Sequence, residues 1–257
     1  MKEQLYQYLL LLGDNAMILG HRLSELCGHG PSLETDIALT NMSLDLFGQV
    51  RNYFQYAAEV KGEMVLDAEK EITEDSIAFT RYPHEYRNTL LVEQPNKDFA
   101  FVIARQFFFD AYHLPLLEAL MNSKDEQIAA IAHKSIKEVK YHLRFSSEWV
   151  KRLGDGTDES HSRMQAAVDY LYPYIGELVQ ETPIEKEMKE LGIGADLSAV
   201  RSVFYETVKT VLQEATLNTP QFFGFHDGGK KGVHSEHHGH ILSTLQYMQR
   251  TYPNMKW

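Results

Sequence analysis

Several polar side chains stand at helical spacing in segments that otherwise read as apolar. Asp110 and His113 lie three apart, in line with Gln106 and Leu117. Glu138 and His142 lie four apart, beside Ile131, Ser135, Val139 and Trp149. Asn41, Asp45 and Gln49 recur every four residues, and His21 precedes Glu25 by four. Residues three or four apart share a helix face. Carboxylates and imidazoles on the inner faces of four helices are what a dimetal carboxylate site needs. Such a site takes one Glu from each of two helices and a Glu-x-x-His pair from each of the other two. The chain has 12 histidines, and none follows a glutamate by three positions. Asp-x-x-His occurs twice, as Asp110–His113 and as Asp158–His161 in an expected loop. Buried charges must be paired, neutralised or metal-bound. Two readings therefore stand side by side. One is a core network of ion pairs and hydrogen bonds that fixes helix register. The other is a metal site drawn from Glu25, Asp45, Asp110, His113, Glu138 and His142.

Other segments carry weaker chemistry. Gly228-Gly229-Lys230-Lys231-Gly232 is a basic glycine-rich loop in an acidic chain. Backbone N–H groups with Lys230 and Lys231 suit a phosphate, CoA being a fitting one, or a partner contact, or a plain turn. His234, His237, His238 and His240 crowd the start of the last expected helix; such a cluster can pick up nickel or zinc in vitro, and a surface or partner-contact role suits it better. Cys27, the only cysteine, sits at a helix end and reads as a small buried residue. Phe107, Phe108, Phe109 and Tyr112 cannot all face one core, so they suit either an outer helix layer or a stable partner.

The elements that must position these residues read as helices. Leu5, Leu9, Leu12, Ala16, Leu19, Leu23 and Leu26 draw one apolar stripe over about 5–28. A second helix over about 33–61 carries Ile37, Leu44, Phe47, Val50, Phe54 and Ala57 on its stripe. Further core helices are expected over about 98–122, with a kink at Pro115, and about 125–153, opened by a Ser123/Glu126 capping box. Outer helices are expected over about 160–181, 183–191, 197–217 and 235–251. Residues 62–97 form a long connection, acidic at first (Glu63, Asp67, Glu69, Glu71). Its Phe79, Tyr82, Tyr86, Leu90, Leu91 and Val92 suggest packing on the body. Two short-looped helix pairs joined by one long crossover give an all-α, ferritin-like four-helix bundle with added C-terminal helices, a single domain over 1–257. A formal charge of −11 argues against nucleic acid, and no apolar run is long enough to span a membrane. With one thiol and no address signal the expected location is cytoplasmic.

Several blocks resemble a known family. They include His21-Arg22-Leu23-Ser24-Glu25-Leu26-Cys27-Gly28-His29, Leu44-Asp45-Leu46-Phe47-Gly48-Gln49 and Leu91-Val92-Glu93-Gln94-Pro95-Asn96. Lys137-Glu138-Val139-Lys140-Tyr141-His142, Glu214-Ala215-Thr216-Leu217-Asn218, His234-Ser235-Glu236-His237 and the closing Trp257 continue the series. In order and spacing they resemble the C subunits of bacterial ring-1,2-phenylacetyl-CoA epoxidases. The resemblance implies a ferritin-like subunit that has lost its metal. It pairs with a catalytic A subunit that carries the di-iron site, with a small bridging B subunit and a separate reductase. A homodimer of the chain alone, occupying the partner's surface, stays open. The resemblance further implies vestigial site positions at Glu25, Leu46, Gln49, Asp110, Val139 and His142, with Leu46, Gln49 and Val139 standing where ligands would be. It implies no catalytic residue and no cofactor in this chain. The residues by themselves leave two alternatives, a dimetal oxidase in its own right and an acyl-CoA-binding helical module using Lys230 and Lys231.

Overall fold

The computed structural model describes residues 1–65, 72–221 and 224–253, and among them the chain is helical with no strand. Asp67, Glu69, Glu71, Phe222, Phe223 and Trp257 lie outside the described residues. Helices α1 (Lys2–Ser24) and α2 (Leu33–Gly62) form one antiparallel hairpin; α5 (Phe99–Leu120) and α6 (Glu126–Gly154) form the other. Side to side, α2 meets α6. The connection between the pairs holds two short helices, α3 (Glu74–Phe79) and α4 (Leu90–Glu93). This is the ferritin-like arrangement that the loop lengths predict.

Close approach of α1 and α2 follows from small residues. Gly13 faces the ring of Phe54 and Gly20 the ring of Phe47, and a Cβ at Gly13 would run into the Phe54 ring. Ser43 Oγ donates to Gly20 O at 2.7 Å, which ties the same pair. The stripe that α2 buries keeps the expected Val50, Phe54 and Ala57 and departs from the expected one in the first half of the helix. Leu39, Met42, Leu46, Tyr53 and Phe54 face inward, whereas Ile37 and Leu44 are 50% and 61% exposed and Asn41 faces solvent. The helix carries apolar residues on two sides, so spacing alone does not choose between them.

Helix α5 is buried around its whole circumference. Helices α7 (Asp158–Leu171) and α9 (Leu197–Glu214) cover it from outside, and α8 (Pro183–Glu190) leans on α1. This outer layer takes up Phe107, Phe108, Phe109 and Tyr112, all buried within the chain, so they present no face to a partner. Pro115 lies inside α5 without ending it.

Three helix ends differ from expectation. Asp125 caps α6, accepting from Ile128 N at 3.0 Å, while Ser123 Oγ donates to Ile193 O instead. The helix expected to reach 181 stops at Leu171, and two 3-10 turns follow, Tyr172–Tyr174 and Gly176–Val179. Pro173 has no N–H for the preceding turn, so the α ladder breaks there. The last helix divides into α10 (Glu236–Leu245) and α11 (Tyr247–Thr251). The Thr182/Glu185 capping box of α8 forms as its spacing predicts. No helix among the described residues is long and apolar enough to cross a membrane.

Candidate functional site

Asp110 lies fully buried on α5. Gln106 Nε2 donates to its Oδ1 at 2.7 Å, and Ser146 Oγ of α6 donates to its Oδ2 at 2.8 Å. Burial pushes this carboxyl up to about 7, against the opposing pull of His142 and of the two hydrogen bonds. One turn away on α6, His142 Nε2 meets Asp45 Oδ2 of α2 at 2.9 Å. Glu138, a further turn along, is half-buried; burial raises its pKa first and the Asp45 charge second. His113 rests on the Phe109 ring, 4.9 Å between centroids, and burial drives its pKa down to about 3. Gln49 is buried near Glu138, whose pKa its amide pulls down, yet neither of its polar atoms makes a hydrogen bond of ordinary geometry; Gln106 Oε1, His113 Nδ1 and His142 Nδ1 are unpartnered. Leu46 and Val139 are wholly buried.

Glu25 does not join this cluster. It lies past the end of α1, exposed, held by Arg22 Nη1 at 3.0 Å and by Asn96 Nδ2 at 3.1 Å. The imidazole that α1 supplies, His21, packs on Phe47 with burial lowering its pKa to about 4. A dimetal centre needs carboxylates and imidazoles that converge. Among the described residues, the one group of three with ligand atoms within 4.8 Å of one another is Glu93, His234 and His238, outside the bundle core. In the core, Ser146 and Gln106 occupy both oxygens of Asp110, and two inner positions are Leu and Val. That donor set does not fit a di-iron centre.

The second cluster joins the crossover to the C-terminal segment. Lys230 is not offered to a ligand. Its Nζ is buried against Glu185 Oε1 at 2.8 Å, Gln180 O at 3.0 Å and Leu178 O at 3.2 Å. The glycine-rich loop does cradle an anion, and that anion is the chain's own Glu177. Glu177 Oε1 accepts Gly228 N at 2.9 Å and Lys230 N at 3.2 Å, and its Oε2 accepts Leu90 N at 2.7 Å. Burial raises the Glu177 pKa, with these three N–H donors pulling the other way. Gly229 backs onto Asn88 O so closely that no side chain fits. Lys231 alone of the pair is exposed, 3.4 Å from Asp227.

Glu93 is wholly buried at the end of α4. It accepts from Asn88 Nδ2 at 2.9 Å, Ser235 N at 2.9 Å and Ser235 Oγ at 2.6 Å, and faces His234 Nδ1 at 2.6 Å. His234 and His238 are thus interior groups, while His240 is exposed. Cys27, read as buried, is exposed. Nearby, the buried Arg81 guanidinium pairs with Asp14 of α1, whose Oδ2 also accepts Arg87 N at 2.8 Å. Sequence reasoning did not single out Asp14, Glu93, Glu177 or Glu185 as site residues. The available signal was a lone carboxylate inside an apolar run, as in Leu90-Leu91-Val92-Glu93.

Fold and site together define a ferritin-like helical bundle whose core is polar but, among the described residues, lacks a convergent ligand set. The chain belongs to the family described as phenylacetic acid catabolic protein, whose model matches residues 1–257. It is 48% identical over 255 residues to the C subunit of the 1,2-phenylacetyl-CoA epoxidase of Escherichia coli (strain K12), a match covering 99% of this chain and 100% of that relative. The resemblance read from sequence blocks therefore extends over nearly the whole chain.

Proposed function

We propose that this chain is a non-catalytic structural subunit of a multicomponent di-iron oxygenase that epoxidises the ring of phenylacetyl-CoA in aerobic phenylacetate degradation. In this reading it pairs with the catalytic A subunit and stabilises it. The iron belongs to that subunit, a small B subunit bridges the pairs, a reductase supplies electrons, and the assembly is cytoplasmic. The observation that carries the reading is the bundle core. Leu46 and Val139 are buried in it, Gln49 is unpartnered, Glu25 is turned out to Arg22, and the scaffold around them is intact. Identity to a relative named as one subunit of such an epoxidase supports the same assembly. A dimetal oxidase needs the ligands the core lacks. An acyl-CoA-binding module needs the loop that Glu177 fills and the ammonium that Glu185 holds. For the partner contact this reading favours the outer face of α2, where Leu33, Ile37 and Leu44 stand exposed at spacings of four and seven.

The test is co-expression of this chain with and without the catalytic subunit, followed by elemental mass spectrometry and an epoxidation assay. The expected result is negligible iron in the chain alone, a stable heteromer, and loss of heteromer in an Ile37→Glu/Leu44→Glu variant that remains folded. About two iron atoms in the chain alone, lost on Asp110→Ala, would make it a metalloenzyme and overturn the reading.

A further inference from the structure

Glu93, His234 and His238 form a second polar centre, remote in sequence from the bundle core and unused by the proposed function. The geometry points to a site for a single divalent transition ion of the zinc class, with one ligand atom from each of Glu93, His234 and His238. The ion would be structural, joining the end of α4 to the start of α10.

Four observations carry this. The three ligand atoms already lie within 4.8 Å of one another. The residue types are a carboxylate and two imidazoles, the donor set that suits zinc, cobalt or nickel and not calcium or magnesium. Orienting contacts are in place. Asn88 and Ser235 fix the Glu93 carboxylate, and His234 Nε2 faces Tyr86 O at 3.1 Å. A ring nitrogen bonded to a backbone carbonyl fixes the tautomer that leaves the other nitrogen to a metal. Finally, His238 is wholly buried with neither ring nitrogen partnered; it stacks on His234 at 4.0 Å and lies edge-on to Tyr86 at 5.1 Å, so its ring must turn out of the stack before an in-plane lone pair reaches the ion.

The two nitrogens of His234 sharpen the point. Nε2 faces Tyr86 O and Nδ1 faces Glu93 Oε1, and both of these are acceptors. A neutral imidazole has a single N–H and can satisfy only one of them. The other contact needs a second proton or a cation in its place. An ion entering between Nδ1 and Oε1 would meet both of these lone pairs at once. The carboxylate and ring part slightly, and His238 turns an unshared pair toward the ion. The guanidinium groups of Arg22 and Arg81 nearby are balanced by Glu25 and Asp14.

The test uses the tag-free full chain and Zn²⁺ in competition with a chromogenic chelator, with Co²⁺ as a spectroscopic stand-in. We expect roughly one ion per chain and a Co²⁺ ligand-field spectrum of four-coordinate strength, with water as the fourth ligand. His238→Leu, which keeps an apolar side chain in the same space, is expected to weaken binding at least about a hundredfold. It should also abolish the rise in Tm that Zn²⁺ gives the parent chain. His240→Ala and His142→Ala should bind as the parent does. No binding in the parent chain, or binding unchanged in His238→Leu, overturns the inference. Loss on His142→Ala alone would move the ion to the bundle core and overturn the proposed function with it.

Discussion

The bundle core and the junction between crossover and C-terminal segment both bury charged and polar side chains, but they satisfy them differently. In the core, Gln49 has both polar atoms unpartnered, and Gln106, His113 and His142 have one each. At the junction, Glu93 faces four donors, Glu177 three, and Lys230 three acceptors. There the exceptions are Asn88 Oδ1 and the ring of His238. An unpartnered buried polar group costs about 1–3 kcal/mol, while a partnered one is close to neutral or mildly stabilising. The core therefore retains polarity that does not help it fold. The junction uses polarity to fix where a long connection lies.

That contrast can be broken from the junction side first. Asp14→Ala leaves the Arg81 guanidinium buried and unpaired, and is expected to lower stability by about 3–5 kcal/mol, read from urea midpoints. Lys230→Met should cost somewhat less, about 3 kcal/mol, by leaving Glu185 charged among apolar neighbours. Adding Glu185→Gln removes that charge and keeps the capping box, so the double variant should recover most of the loss. If the single and double variants are equally unstable, the pair is not the cause.

On the core side the expected changes have the opposite sign. The folded pKa of Asp110, about 7, lies above its ordinary 3.8. The folded state therefore holds this proton more tightly than the unfolded state does. Stability falls as pH rises from about 4 to 7 and stays low above that. The linkage ceiling is about 4 kcal/mol, part of which a changed hydrogen bond to Ser146 offsets. Asp110→Asn should thus stabilise by about 2 kcal/mol at pH 8 and nearly nothing at pH 4, measured by urea melts at both. An equal effect at the two pH values would mean that the carboxyl titrates normally. Smallest is Gln49→Leu, expected to stabilise by about 1 kcal/mol by replacing two unpartnered atoms. A destabilising Gln49→Leu would show that the amide has partners in solution, and the contrast would narrow.

Much of this was legible in the sequence. The helix pairs, the crossover and the outer layer follow from apolar period and loop length, since both depend only on local order. The inward face of the first half of α2 was not legible, because Leu33, Ile37 and Leu44 mimic a core stripe. Pro173 falls inside the helix expected over about 160–181, and its missing N–H ends that helix early. In the candidate site, Asp110, Gln49 and His142 were found because they interrupt apolar spacing. Glu177, Lys230 and Glu93 were not placed, because their partners stand 45 to 142 residues away and no local pattern records them. The same distance explains why the glycine-rich loop looked free: its anion comes from Glu177, 51 residues upstream of Gly228.

The Glu93 and Glu177 contacts also set an order of events during synthesis. Residues 90–93 leave the ribosome early, yet Ser235, which holds Glu93, comes 142 residues later. At about 5–20 residues per second, that delay is roughly ten to thirty seconds. Throughout it both helix pairs can form and α4 can settle on α1 and α5, while the Glu93 carboxylate lacks Ser235 and His234. The nascent chain thus carries a carboxylate bound for burial whose later partners are not yet made, and the crossover stays unfixed until they emerge. Emergence of residues 228–235, rather than formation of the bundle, is the step that closes the molecule.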